Sequence, residues 1–175
     1  MGFFSQKITA DKLTESLAGL FDASYNGLSE KVRGLLVGTE ILNENQNQEL
    51  LAVSLAAVVY SVFKSLEETP AKRYVIGKLQ SDVFNQHFLS PEKRSVFATA
   101  FSTRVREYTE VLNSENRDAA IQIGEIFYTH FGGKKDGVDN LKLKITVFVG
   151  SAFLHFAIET KKYLDEVVSK YEIVL

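Results

Sequence analysis

The sequence has no cysteine and no tryptophan, and its single methionine is the first residue. The missing cysteines exclude a disulfide framework and every thiolate metal site, and they fit a reducing compartment. Only two prolines occur, Pro70 and Pro91, so few positions forbid a helix. An excess of one charge is also lacking, because 20 Lys and Arg stand against 22 Asp and Glu. That balance removes the positive field through which a protein holds nucleic acid or an anionic membrane. Long apolar runs are absent too. The uncharged runs at the two apolar peaks, 50–63 and 145–158, hold 14 residues each, whereas a bilayer-spanning helix takes about 20. Both read as buried core helices. The opening MGFFSQK lacks the apolar stretch of a secretory signal, and Gln6 stands where a myristoylation site takes Ser or Thr. A cytoplasmic, soluble protein is the expectation.

What is present is helical periodicity over a length suited to one domain, residues 1–175. With 13 Phe and 7 Tyr, the core is expected to be built from Phe, Leu, Val and Ile. Thr69–Pro70 and Ser90–Pro91 each place an N-cap before a proline at the first helical position. Thr9 caps a first helix carrying Leu13, Leu17, Leu20 and Phe21. A second helix, from Ser29 to Leu42, presents Val32, Leu35, Leu36 and Thr39. Asn45 and Gln48 have the spacing of a capping box for a third. Ser114 is expected to cap a helix with Ala119, Ile123, Ile126 and Phe127, and the last segment runs from Phe148 to Tyr171. The stretch 141–147 alternates apolar and polar residues, which is a strand signature. It is read as helix because a lone strand would lack a partner. The prediction is an all-α, single compact bundle of about six to seven helices. Its long C-terminal helix is apolar round so much of its circumference that it lies at the centre or at a subunit interface.

The segment with the most chemical side chains is IFYTHFGGKKDGVDN, residues 126–140. Its adjacent glycines lack the four-residue spacing of a phosphate loop. They also follow a helix C-terminus, which repels anions. A calcium loop starting at Asp136 would have Val138 third and Val147 twelfth, neither of them a ligand. The stretch instead reads as a helix stop at Gly132 or Gly133, with Lys134 and Lys135 against the dipole and Asp139 or Asn140 capping the next helix. No nucleophile–base signature is visible, so no catalytic residue is assigned.

Three functional readings remain. The first is a non-catalytic helical protein that works through a protein partner or another copy of itself, with Phe153, Leu154, Leu164 and Val168 as the interface. The alternative is a bundle holding haem or another apolar ligand in a globin-like pocket. By helical-wheel angle His87 and His130 face inward, and Phe84, Phe127 and Phe131 belong to aromatic pairs four residues apart. Haem is the only cofactor considered, and the paired phenylalanines are favoured as core. Peripheral membrane attachment through Phe3, Phe4 and Ile8 is the weakest reading, because the basic face of such anchors is missing.

Overall fold

A computed structural model describes residues 6–36, 41–114, 117–132 and 140–175. In chain order these form β1 (Gln6–Thr9), α1 (Ala10–Leu35), α2 (Glu44–Ser65), α3 (Pro70–His87), α4 (Pro91–Asn113), α5 (Ala119–His130), α6 (Asn140–Lys170) and β2 (Tyr171–Val174). The all-α bundle is the observed architecture, with six helices. Stretch 141–149 is helical, within α6.

The helix starts follow side-chain capping. Thr9, Thr69 and Ser90 each accept a bond from the backbone N–H three residues on, and prolines sit at the first positions of α3 and α4. The capping box of α2 lies two residues earlier than expected. Asn43 Oδ1 accepts from Gln46 N at 2.9 Å, and Gln46 Oε1 accepts from Asn43 N at 3.0 Å. Asn45 turns to another helix instead, donating to His130 O at 2.9 Å. The expected cap at Ser114 is also corrected. Its hydroxyl donates back to Val111 O and closes α4, while α5 starts after Asp118 with no side-chain cap bond. Gly132 has φ 94°, the left-handed conformation that ends α5. Thr39 and the proposed roles of 133–139 lie outside the described residues.

Two larger corrections concern the ends of elements. The expected break between Phe21 and Ser29 does not occur, and α1 continues for 26 residues. Tyr171 leaves the last helix and starts β2, which pairs in parallel with β1 from Gln6↔Tyr171 to Thr9↔Val174. Two four-residue strands are too short to show a period of two, and their pairing spans nearly the whole chain.

The centre of the bundle belongs to α2. Residues 49–59 are all buried, and α2 meets each of the other five helices. It passes between them because Ala52, Ser54, Ala56, Ala57 and Ser61 leave room for neighbours on several sides. Ser61 Oγ lies 2.9 Å from Ala57 O and 2.8 Å from Ala157 O, which ties α2 to α6. Helix α6 is one-sided by comparison, with a buried stripe through Ile145, Val149, Phe153, Ala157, Leu164 and Val167.

Helices α5 and α6 approach until backbone meets backbone. A Cβ at Gly124 would overlap the Thr146 carbonyl, and one at Gly150 would overlap the Ala120 carbonyl. On α1, by contrast, Gly19, Gly27 and Gly34 face open space. Gly124→Ala and Gly150→Ala are each expected to destabilise by about 1–3 kcal/mol through overpacking. Gly27→Ala is expected to stabilise by about 0.4–1 kcal/mol. Thermal melts check this, at about 2–4 °C per kcal/mol for a chain of this size.

Candidate functional site

Three helices bring four ionisable side chains into one row. Glu49 projects from the enclosed part of α2, Arg104 and Glu107 lie three apart on one face of α4, and His130 ends α5. Arg104 grips Glu49 with two bonds, Nε to Oε2 at 2.9 Å and Nη2 to Oε1 at 2.8 Å. Their side chains are only 12% and 7% exposed, so this is a bidentate, largely desolvated pair. Arg104 Nη1 then stands 3.6 Å from Glu107 Oε2, and His130 Nε2 lies 3.1 Å from that same oxygen.

Burial opposes the Arg104 charge, but the bond and charge of Glu49, with Glu107 behind, outweigh it and hold the guanidinium above its usual range. Tyr108, one position beyond Glu107, is fully enclosed, and among the described residues its hydroxyl has no partner. Burial pushes this phenol far up, and the Glu49 carboxylate adds to the effect. Among the described residues no three His, Asp or Glu are placed to hold a metal. The row locks α2, α4 and α5 in register.

His130 is half-buried, and its Nε2 faces Glu107. His87 is exposed at the end of α3 and meets Phe21 and Tyr25 edge to face, with centroids 6.2 Å and 5.3 Å away. Burial against these rings lowers its pKa below 6.5, with the Asp22 charge acting the other way. It lines a cavity of about 510 Å³ together with Tyr25, Asn47, Gln48, Phe88 and Lys93, and His130 is not among the lining residues. The phenylalanines of the ligand reading belong to the core. Phe84 packs edge-on against Phe97 and Phe101 of α4, and the buried Phe127 and Phe131 lie ring to ring at 5.0 Å. Of the five, His87 lines the cavity beside Tyr25, and the other four are not among that cavity's lining residues.

Two of the four interface candidates are interior. Phe153 and Leu164 are 2% and 0% exposed, while Leu154 and Val168 are half-buried and packed against the core. The apolar surface of α6 is carried by other residues, Leu143 at 53% exposed and Val147 at 43% near its start and Ile158 at 52% further along. With Phe148, Gly34 and Leu35, Leu143 and Val147 line a cleft of about 840 Å³ between α1 and α6, edged by Glu30, Lys31 and Lys144. The signal for it was the alternation in 141–147. Residues two apart on a helix point about 200° apart, so Ile145 turns inward and Leu143 and Val147 turn outward.

Arg104→Met leaves Glu49 charged, buried and unpaired, and is expected to lose about 3–5 kcal/mol in denaturant unfolding. The double variant Glu49→Leu/Arg104→Met should recover most of that loss, because no lone charge remains. His87 supplies a pH test. With its folded pKa below the unfolded 6.5, its contribution is complete above 6.5 and falls as pH drops below that value. Wild type should lose more stability than His87→Phe between about pH 7 and about pH 5. No known protein family, characterised protein or solved structure matches this chain.

Proposed function

We propose that the protein acts by self-association, a second copy covering the cleft between α1 and α6. The observation that carries this reading is the exposed pair Leu143 and Val147, four residues apart beside Phe148 and Leu35. Covering two such side chains is worth up to about 1.5–3 kcal/mol each. The rim favours a copy of the same surface. Glu30 and Lys31 stand on α1 and Lys144 on α6, and among the described residues none has an ionic partner in its own chain. A two-fold axis that sets α1 of one copy against α6 of the other would bring the Glu30 end of α1 beside Lys144 in both halves, where the two opposite charges can pair. Such packing is the helix-in-groove mode.

Helices α2 and α6 are both long and apolar enough, by length and composition, to cross a membrane. The apolar window of α2 is 72% buried in the bundle, whereas that of α6 is only 33% buried. The outer side of α6 is thus the surface that needs cover, and Lys144 at the cleft edge suits a carboxylate better than hydrocarbon.

Light scattering of the purified chain in detergent-free buffer is expected to give a dimer at micromolar concentration. Leu143→Glu/Val147→Glu should shift it to monomer without loss of the melting transition, because both sites are exposed. A Glu30→Lys variant should weaken the dimer, and adding Lys144→Glu should restore it. A strict monomer, or sedimentation with lipid vesicles in place of dimerisation, would overturn the proposal.

A further inference from the structure

The cavity beside His87 is walled by two kinds of side chain. Tyr25, Phe88 and Leu51 supply apolar surface, and Asn47, Gln48 and His87 supply polar atoms. Asn47 donates through its amide nitrogen to Leu42 O at 3.0 Å and Asn43 O at 3.1 Å. Gln48 likewise donates to Glu44 Oε1 at 3.4 Å. Among the described residues, the carbonyl oxygens of these two amides have no donor, and neither ring nitrogen of His87 has a hydrogen bond. The cavity therefore holds unused acceptors, with a neutral imidazole able to serve as another. Its charges cancel, since Lys93 Nζ and Glu44 Oε1 meet at 2.7 Å. At about 510 Å³ it lies within the usual range of small-molecule sites, roughly 300–1,000 Å³.

We propose that this cavity binds an uncharged, planar heteroaromatic molecule of nucleobase size, whose N–H groups donate to Asn47, Gln48 and His87 while its ring lies against Tyr25 and Phe88. Each part of that description follows from the wall. Surplus acceptors match a ligand rich in donors, because each N–H that leaves water on binding then finds a partner. Aromatic walls select a flat ring. The closed ion pair disfavours a charged ligand, which would have to break it. The site is separate from the α1–α6 cleft in its lining residues, so it stands without the dimer reading.

Adenine titrated into the full chain, followed by NMR of the histidine rings and backbone amides, tests the proposal. Saturable shifts are expected at His87, Gln48 and their neighbours, with a Kd of about 1 mM or tighter. Gln48→Leu and His87→Phe should each weaken binding about fivefold, the loss of one hydrogen bond. Both sites lie at the surface end of their helices, and unchanged melting curves would show that the fold is kept. Indole, a similar ring with one donor, should bind more weakly than adenine. The proposal is overturned by the absence of saturable shifts with adenine, by undiminished binding in both variants, or by indole binding as tightly as adenine.

Discussion

A helix with no outward face over residues 49–59 sets the terms for everything around it. Burying α2 on all sides requires neighbours on all sides, and five other helices supply them. It also forbids a charge there without a partner, because a buried charge left alone is far more costly than a buried methyl group or a lone hydroxyl such as that of Ser54. Glu49 is the test of that rule. Its carboxylate is accepted into the core only because Arg104 reaches it with two bonds from α4. A pair this dry contributes little net stability against well-packed apolar side chains. Its geometric demand is strict, however, and it fixes the register of α4 on α2. Glu107 and His130 extend the same constraint to the end of α5.

A second constraint acts where α5 meets α6. Gly124 and Gly150 let the two backbones touch, so dispersion contacts form along the whole crossing. Their lack of a side chain is used inside the protein. Gly19, Gly27 and Gly34 on α1 are different, since each faces open space and lowers helix propensity with no internal packing in return. Gly34 is the one whose absent side chain helps shape a described surface, the cleft floor beside Leu143 and Val147.

Local signals were readable and tertiary ones were not. Pro70 and Pro91 announce helix starts because their effect depends on adjacent residues alone. Asn43 and Gln46 have the same spacing as Asn45 and Gln48, and sequence could not choose between two overlapping boxes. The choice was made by His130, 85 residues away, whose carbonyl captures Asn45. Inward angles for His130 followed from periodicity, but its partner Glu107 lies on another helix. Glu49 and Arg104 are 55 residues apart, and no local pattern links a glutamate at one end of an apolar run to that arginine. The β1–β2 pair was invisible for a related reason, as its strands stand at opposite ends of the chain. In 141–147 the pattern itself was seen and its meaning lay in geometry. The same alternation that suits a strand gives a helix two apolar sides, of which α5 and the core cover one.

The continuity of α1 joins the two candidate surfaces. A break between Phe21 and Ser29 would have left Tyr25 in a hinge. As one 26-residue helix, α1 carries Tyr25 in the wall of the His87 cavity and Glu30 to Leu35 in the wall of the cleft, within three turns of each other. The Thr9 cap fixes the start of this helix, and Leu13, Leu17, Phe21, Leu28 and Val32 bury its inner side along its length. Displacing Tyr25 toward or away from His87 must therefore carry Gly34 and Leu35 with it, unless the helix bends. A flat ring bound against Tyr25 and a second copy seated on α1, as proposed, would thus act on the same helix. The buried side of α1 leaves only small shifts open to it, because the close-packed core resists continuous deformation.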